Sequence, residues 1–308
     1  MTGDEVLTFY APGGERLDKT IIDHIGDRLT RTQVQTLIRA GKVSVDAAPA
    51  KPGLKLKGGE LIRILIPPPA QDEAIAAEPI ALNVIYEDRD LAVIDKPAGM
   101  VVHPGAGNET GTLVNALLAR YPEIGLMEHT PKRRGIVHRL DKDTSGLIVV
   151  ARNAPTLHRL MTQFQRRSVD KIYLALLERE PPTPTGRVEA PIGRDPNQRR
   201  KMAVMRGGRP AISEYTIVER FSSGHVLAQV KLLTGRTHQV RVHMAFINCP
   251  LVGDKVYGFR RQRLGLDGQF LHAAQLAFDH PRTGERLRFE APLPARLEEV
   301  LRQLREAR

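Results

Sequence analysis

A polar segment of nine residues, 138–146, lies between two apolar stretches near the middle of the chain. Its sequence is His-Arg-Leu-Asp-Lys-Asp-Thr-Ser-Gly; Ile136 and Val137 precede it, and residues 147–150 follow it. Because burying unpaired charge is costly, we predict that the apolar stretches are buried strands and that the polar segment is the turn between them. A solvated hairpin turn with surface salt bridges would show the same charges, so this segment does not identify a function by itself.

The balance of charged residues narrows the class of partner. The chain has 308 residues, of which 41% are apolar, and this is enough for two ordinary domains with their own cores. Lys and Arg number 46 against 35 Asp and Glu, and the resulting net charge of +11 favours a polyanionic partner such as nucleic acid.

The cysteine content and the N-terminal sequence bear on location. Cys249 is the single cysteine, which excludes an intrachain disulfide and fits a reducing, cytoplasmic compartment. Residues 1–11 include two acidic side chains and lack the apolar core of a signal peptide, and no apolar run approaches the length of a membrane span. We therefore expect a cytoplasmic protein that does not associate with a membrane.

Three consecutive prolines at 67–69 interrupt the chain and are followed by a small, acidic stretch. Such a sequence favours extended polyproline II and excludes a helix or a central strand. We therefore predict two domains, residues 14–67 and 80–308, joined by a linker at residues 68–79.

The first predicted domain has a pattern of two helices followed by two strands. The apolar residues of 17–25 recur at helical spacing, and a second helix is predicted from a cap at Thr30 to Gly41. Short strands are predicted at 43–45 and 61–66. This order of elements resembles the α-L RNA-binding domain, which is named from a small-subunit ribosomal protein.

In the second predicted domain, strands outnumber helices and do not alternate regularly with them. We therefore predict an α+β fold with a mixed or antiparallel sheet. The predicted strands cover 83–88, 91–97, 172–177, 215–218 and 226–233, and the predicted helices cover 112–120, 157–164 and 294–304.

Four segments of this domain together resemble the signatures of one enzyme family. Residues 138–147 resemble the catalytic signature of the RluA-type pseudouridine synthases, and residues 233–243 (Leu-Thr-Gly-Arg-Thr-His-Gln-Val-Arg-Val-His) resemble a second signature. Residues 171–173 and 250–258 resemble a third and a fourth. Within the family, the segment 202–211 resembles the RluD-like enzymes that act on large-subunit ribosomal RNA.

The resemblance implies the isomerisation of uridine to pseudouridine in RNA, a reaction with no redox change and no transferred group. It therefore implies that no cofactor is needed. Asp141 matches the catalytic nucleophile of the family, and Arg241 matches the cation that holds its charge. Tyr173 matches the tyrosine that stacks on the target base. Arg139 is expected to contact the RNA backbone or to fill the space of the flipped nucleotide.

Clustered basic residues outside these signatures are predicted to contact RNA phosphates. They are Arg31, Arg39 and Lys42 in the first domain, and Arg199, Arg200 and Lys201 in the second. The expected partner is large-subunit ribosomal RNA or its precursor particle, although transfer RNA also fits the family. The resemblance favours a monomer.

Other polar residues of the signatures have structural interpretations. Asp143 is expected to accept hydrogen bonds within the turn, and His138 and His238 are expected to be scaffold histidines. His238 and His243 lie five residues apart, unlike the zinc ligands of an H-E-x-x-H helix, so no metal site is predicted. Arg236 fits both a backbone anchor and a phosphate contact.

Two other functions fit parts of the sequence. Asp141 and Asp143 superficially resemble the nucleophile motif of haloacid-dehalogenase-type phosphatases, but the regular α/β alternation of that class is missing. A non-catalytic RNA-binding or ribosome-assembly factor would fit the basic charge and the α-L domain. That function would leave Asp141, Tyr173 and Arg241 unexplained.

Overall fold

The computed structural model describes residues 5–26, 29, 31–66, 75–105, 107–127, 134–198, 201–259, 261 and 264–307. The chain divides into two compact units, and the division falls just before Ile75. The predicted helix cap Thr30 and the three prolines of the predicted linker lie outside the described ranges. Among the described residues, no helix is long and apolar enough to cross a membrane.

The first unit packs two helices against an antiparallel sheet. Its strands are β1 (Glu5–Tyr10), β2 (Val43–Val45), β3 (Ala48–Pro49) and β4 (Leu61–Ile66), and its helices are α1 (Leu17–Ile25) and α2 (Arg31–Arg39). Within the described residues the strand order is β1-β4-β2-β3. The two helices, β2 and β4 confirm the predicted elements. β1 was not predicted from the sequence. Its residues Leu7 and Phe9 face the core only because this segment pairs with β4.

A buried carboxylate joins the two helices of the first unit. Asp18 has no exposed side-chain surface and accepts hydrogen bonds from Arg16 at 3.0 Å, Arg31 at 3.2 Å and Gln35 at 2.8 Å. Burial by itself raises the pKa of Asp18, but the hydrogen bonds from Arg16, Gln35 and Arg31 outweigh it and hold that pKa well below its usual range. Arg31, a predicted RNA contact, therefore has a partner inside its own unit, while 60% of its side chain stays exposed.

The second unit contains the remaining elements. Its strands are β5 (Asn83–Glu87), β6 (Leu91–Lys96), β7 (Ser145–Ala151), β8 (Asp170–Leu177), β9 (Thr185–Glu189), β10 (Ile192–Arg194), β11 (Met202–Val204), β12 (Ile212–Arg220), β13 (Val226–Leu232), β14 (Leu271–Asp279) and β15 (Arg286–Glu290). Its helices are α3 (Leu113–Arg120), α4 (Ala154–Arg166), α5 (Gln239–Phe246) and α6 (Ala295–Glu306), with a 3-10 helix at Pro122–Leu126.

Nine strands of the described second unit form one sheet in the order β5-β6-β7-β14-β8-β13-β12-β9, and β15 also pairs with β14. The pair β7–β14 is parallel and the other pairs are antiparallel, which confirms the predicted α+β class with a mixed sheet. β14 therefore lies between β7, which follows the polar segment, and β8, which carries Tyr173. β10 and β11 form a separate two-stranded sheet.

One predicted strand does not form. Ile136 makes only an isolated bridge to Val150, and the described residues directly before the polar segment, 134–137, contain no strand. The N–H of Val149 donates instead to the Nε2 atom of His138 at 3.0 Å, so a side chain replaces the backbone acceptor that a second strand would supply. His138 has the expected scaffold position: burial and the nearby charge of Lys171 lower its pKa to about 3, so the ring is neutral.

Residues that follow the three prolines are fastened to the second unit. Ile75 packs against its apolar core, and the side-chain amide of Asn115 donates to the Ala76 carbonyl at 2.8 Å. The carboxylate of Glu78 accepts the N–H of Gly111 at 3.1 Å. A shortened protein that lacks the first unit should therefore keep Ile75.

Candidate active site

The polar segment forms a tight turn that positions Asp141 just before β7. The N–H of Thr144 donates to the Asp141 carbonyl at 3.1 Å, and the Thr144 hydroxyl accepts a hydrogen bond from Gln269 at 3.0 Å. Gly146 has a φ of +110°, and a Cβ atom there would lie 2.3 Å from the Ala273 carbonyl oxygen. Glycine is therefore required where β7 meets β14.

A buried lysine binds the backbone of this turn. Lys96 ends β6 with no exposed surface, and its Nζ atom donates to the carbonyls of Pro97, Met100 and Lys142 at 2.7, 2.9 and 3.2 Å. Burial lowers the pKa of Lys96 to about 8, and nearby carboxylates oppose that shift. The cation thus fixes the backbone next to Asp141 and adds positive charge beside it.

One guanidinium joins two carboxylates at the centre of the site. The Nη1 atom of Arg241 donates to Asp141 at 2.9 Å, while Nε and Nη2 donate to the two oxygens of Asp254 at 2.7 and 3.0 Å. Asp254 is fully buried and Arg241 is nearly so, but 16% of the Asp141 side chain is exposed. Asp141 is therefore the member of this triad that a substrate can reach.

The ion pair with Asp254 keeps the guanidinium charged and fixed. Burial by itself lowers the pKa of Arg241 and raises that of Asp254, but their mutual hydrogen bonds and charges outweigh burial in both groups. The backbone N–H groups of Val256 and Tyr257 also donate to Asp254, at 2.9 and 3.0 Å. With two of its nitrogens committed to Asp254, Arg241 presents Nη1 to Asp141 in a fixed orientation.

His238 faces the other oxygen of Asp141. Its Nε2 atom lies 3.9 Å from Asp141 Oδ1, and its Nδ1 atom lies 2.8 Å from the hydroxyl of Tyr257. That hydroxyl accepts the N–H of Met202 at 2.8 Å, so we assign its proton to the bond with Nδ1 and the ring proton to Nε2. Burial lowers the pKa of His238 even though Asp141 opposes it, so the ring is neutral. His238 therefore lines the site as well as supporting it.

The signature at 233–243 fastens α5 to the sheet. Gln239 accepts hydrogen bonds from the Thr234 hydroxyl at 2.7 Å and the Arg236 N–H at 2.9 Å, and it donates to the backbone of β12 at 2.9 Å. His243 lies 2.9 Å from the Ser213 hydroxyl on the same strand. These two anchors flank Arg241 on the helix and set its direction toward Asp141.

Tyr173 lies across β14 from the polar segment. Gly146 on β7 and Tyr173 on β8 both pair with Ala273 on β14, which places their backbones about 10 Å apart. Tyr173 is only 7% exposed, and its hydroxyl makes no hydrogen bond to any group in the described part of the chain. Burial raises the pKa of Tyr173 well above its usual value, and the charge of Asp141 adds to this effect. The phenol is therefore protonated at neutral pH.

Of the three predicted catalytic side chains, Arg241 contacts Asp141, and Tyr173 lies close enough for the charge of Asp141 to raise its pKa. Arg139 is exposed at the start of the same turn. Lys201 is half-buried next to β11, whereas Arg199 and Arg200 lie outside the described residues. Arg39 is exposed and Lys42 half-buried in the first unit.

Four side chains that complete the site were not predicted from the sequence: Lys96, Asp254, Tyr257 and Gln269. Asp254 and Tyr257 lie inside the signature at 250–258, so membership of that signature could have identified them as site residues. Lys96 ends an apolar strand, and a lone cation at that position was a weaker signal. Gln269 lies outside the signatures, and nothing in the sequence around it indicates that it belongs to the site.

A separate group of side chains has the composition of a metal site. Among the described residues, Asp88, Asp90 and His280 place one potential ligand atom each within 4.8 Å of the others. Their hydrogen bonds account for the group without an ion: Asp88 accepts from Tyr86 and two backbone N–H groups, and Asp90 accepts from Arg282 at 2.6 Å. We interpret the group as a structural link between two turns.

Comparison with known proteins identifies the fold and the chemistry. Residues 90–246 match the family described as RNA pseudouridylate synthase, and residues 15–62 match the S4 domain. The chain belongs to the RNA pseudouridylate synthase family. The synthase is 51% identical over 292 residues to an uncharacterized RNA pseudouridine synthase of Chloroflexus aurantiacus, covering 95% of this chain and 90% of the relative.

Other relatives carry more specific names. The synthase is 45% identical over 310 residues to ribosomal large subunit pseudouridine synthase D of Pseudomonas aeruginosa, covering 96% of this chain and 94% of the relative. Among solved structures it resembles human RNA pseudouridylate synthase domain containing 1, with a TM-score of 0.56, 26% identity, and 74% of this chain and 96% of the human chain covered. These matches confirm the predicted enzyme class and the predicted RNA-binding S4 domain.

We predict that Asp254→Asn impairs the synthase by releasing Arg241. The substitution removes the charge of a fully buried partner, so the free energy of unfolding should fall by about 3 kcal/mol. Misplacement of Arg241 should also lower the single-turnover rate by about 10²-fold or more. Pseudouridine formation and thermal unfolding are to be measured on the same preparation.

Asp90→Asn is the matched control. Asp90 also accepts hydrogen bonds from an arginine, Arg282, but it lies at the opposite end of β6 from Lys96. The Asp90→Asn protein should be less stable than the unaltered synthase, but the fraction of it that is folded should turn over RNA at an unchanged rate. A folded Asp254→Asn protein with an unchanged rate would contradict the role of Asp254 as the group that orients Arg241.

Proposed function

We propose that this synthase isomerises uridines of large-subunit ribosomal RNA, with Asp141 as the nucleophile. The observation that carries the assignment is the partly exposed Asp141 carboxylate, held at 2.9 Å by an arginine whose other nitrogens bind a buried aspartate. The Pseudomonas aeruginosa relative, named for the ribosomal large subunit, supports the RNA class. A location in the cytoplasm and action as a monomer are further parts of this proposal.

The proposed reaction uses the charge of Asp141 at the sugar or the base. The N1–C1′ bond of uridine breaks with its electron pair on N1, the base rotates, and a C5–C1′ bond forms. C5 then loses its proton and N1 gains one, so the product is an isomer of uridine. Where Asp141 has attacked carbon, the bond to its carboxylate breaks again before the product leaves. A carboxylate can attack carbon or stabilise the positive charge that develops as the first bond breaks. Arg241 places its positive charge against the Asp141 carboxylate and orients it before the RNA arrives. His238 supplies a neutral N–H on the second side of Asp141.

We assign Tyr173 to the base-binding face of the site. Its ring is fixed by β8 and its hydroxyl has no hydrogen-bond partner among the described residues, so the hydroxyl is available to a substrate. Because the phenol is protonated at rest, it can donate a hydrogen bond directly, and it can relay the C5 proton only by losing its own. Arg139, exposed beside Asp141, is proposed to contact the RNA when the nucleotide leaves its stack.

RNA outside the target nucleotide is proposed to bind both units. Lys201, Arg199 and Arg200 are the proposed contacts of the second unit. Arg39 and Lys42 remain the proposed contacts of the S4 domain, whereas the pairing of Arg31 with Asp18 favours a structural role for Arg31.

We predict that Asp141→Asn abolishes pseudouridine formation while RNA affinity changes little. The substitution keeps the size of the side chain and its hydrogen bond to Arg241 but removes the charge that the chemistry needs. Product is to be measured under single-turnover conditions, with RNA binding and thermal unfolding measured in parallel. Appreciable turnover by the folded Asp141→Asn protein would refute its assignment as the nucleophile.

We predict that Tyr173→Phe keeps RNA binding and lowers product formation by about 10²-fold or more, because the ring stays and only the hydroxyl is lost. Tyr215→Phe is the matched control. Tyr215 packs in the same apolar cluster, but its hydroxyl lies 3.2 Å from Thr183, away from Asp141. A Tyr173→Phe protein as active as Tyr215→Phe would show that the ring alone serves the reaction.

We predict that a synthase shortened to begin at Ile75 keeps its catalytic site but binds long structured RNA more weakly. Each lost phosphate contact should reduce the slope of log affinity against log salt by about 0.7–0.9. Arg39→Gln in the full chain should reproduce part of this effect, because Arg39 is exposed. Arg31→Gln should instead lower the stability of the S4 domain.

The alternative for the first unit is a purely structural role. In that case the shortened synthase would lose thermal stability, while its RNA affinity and salt dependence would match those of the full chain. That result would overturn the RNA-binding role of this unit and leave the assignment of Asp141 untouched.

A further inference from the structure

A second buried cation near the site has no anionic partner in the described part of the chain. Lys171 lies on β8 two residues before Tyr173 and on the same face, and it is only 9% exposed. Its Nζ atom makes one long hydrogen bond, 3.5 Å to the Thr234 carbonyl, and lies 5.8 Å from the centre of the Phe164 ring. The neighbouring Asp170 carboxylate pairs instead with Lys231 and Arg286.

Arg167 and Arg236 lie close enough to this amine for their charges to act on it, and Arg209 acts in the same way on Arg236. Arg236 follows Thr234 by two residues, and its Nε atom donates to the Pro210 carbonyl at 3.0 Å, which brings Arg209 alongside. Arg167 caps α4 in the left-handed conformation, three residues after Phe164. We call Arg167, Lys171, Arg209 and Arg236 the Lys171 cluster.

The members of the Lys171 cluster repel one another. Burial and the charges of Arg167 and Arg236 lower the pKa of Lys171 to about 8. Burial and the charges of Arg209 and Arg167 likewise lower the pKa of Arg236. Within the described residues none of the four cations forms an ion pair with a carboxylate. Unpaired like charges at such a site cost folding free energy, and a bound anion would remove that cost.

The position of the cluster indicates which anion it fits. Lys171 and Tyr173 are two residues apart on one strand, so their backbones are separated by about 7 Å. An anion bound at Lys171 would therefore lie beside a nucleotide whose base reaches Tyr173. Arginine and lysine contacts to phosphate fix the register of a nucleic acid without reading its sequence.

We propose that the Lys171 cluster binds a backbone phosphodiester of the substrate RNA next to the target uridine. Its function is to fix the register of the strand, so that one nucleotide enters the space between Tyr173 and Asp141. Arg236 then has both of the roles that fitted its sequence, backbone anchor and phosphate contact. Its Nε atom binds the Pro210 carbonyl, and its remaining nitrogens bind the phosphate. This inference rests on the proposed RNA substrate.

Three variants test the cluster by binding. Arg167→Gln and Arg209→Gln change exposed side chains, and Lys171→Gln tests the buried amine. Arg288→Gln is the matched control, because Arg288 is also exposed and has no ion pair among the described residues, but lies on β15. The RNA must be one that the unaltered synthase modifies.

Each cluster variant should weaken RNA binding by about fivefold or more and lower the slope of log affinity against log salt by about 0.7–0.9. Arg288→Gln should do neither. Thermal unfolding is measured for every variant. If Lys171→Gln does not fold, the two exposed variants carry the test.

Removing the charge of single phosphates in the RNA backbone tests the proposal more directly. Methylphosphonate is placed at one position at a time around the target uridine of the RNA. One position should weaken binding by the unaltered synthase, and the same replacement should weaken binding by Arg209→Gln by a smaller factor, since both changes remove the contact between Arg209 and that phosphate. Fully additive losses at every position, or cluster variants that bind like Arg288→Gln, would overturn the inference. Failure of the unaltered synthase to modify any large-subunit RNA would overturn the proposed substrate as well.

Discussion

The site depends on one arginine that is shared unequally between two carboxylates. Asp254 takes two nitrogens of Arg241 in a fully buried, bidentate pair, and Asp141 takes the third while remaining partly exposed. The buried pair of Arg241 and Asp254 makes the geometry rigid, and the partly exposed Asp141 carboxylate can be reached by a substrate. A cation that served Asp141 alone could follow that side chain to other rotamers. Because Asp254 holds Arg241, the position of Asp141 is fixed before any substrate binds.

The sheet supplies the rest of the alignment. Gly146, Ala273 and Tyr173 are in register across β7, β14 and β8, so the turn that carries Asp141 and the strand that carries Tyr173 share one central strand. A slip of one residue in β8 would turn Tyr173 to the opposite face of the sheet. Lys96 and the signature at 233–243 then fix the two remaining edges of the site, the turn and α5.

Positive charge in this protein serves different purposes at different depths. Lys96 is buried and binds backbone carbonyls, and Arg241 is buried and pairs with two carboxylates. In the first unit, Arg16 and Arg31 pair with Asp18. The Lys171 cluster lacks a carboxylate partner among the described residues. The count of 46 Lys and Arg residues therefore overstates the number of cations available to RNA, because several of them are already committed to carboxylates or carbonyls.

The sequence by itself determined the local elements and, through resemblance, the reacting groups. Helical spacing predicted α1, the predicted strands at 172–177 and 226–233 correspond to β8 and β13, and the signatures pointed to Asp141, Tyr173 and Arg241. It failed at Ile136 and Val137, where apolar residues form no strand because the side chain of His138 takes the backbone donor.

Only the tertiary structure decided what surrounds the reacting groups. Arg241 meets Asp141 across 100 residues of sequence, and Lys96 meets the backbone of the same turn across 46. Periodicity and capping report contacts within a few residues, so they carry no information about such partners. The roles of Lys96 and Asp254, and the absence of a carboxylate at Lys171 among the described residues, follow from which strands lie side by side. That arrangement is set by packing of the whole sheet rather than by any one segment.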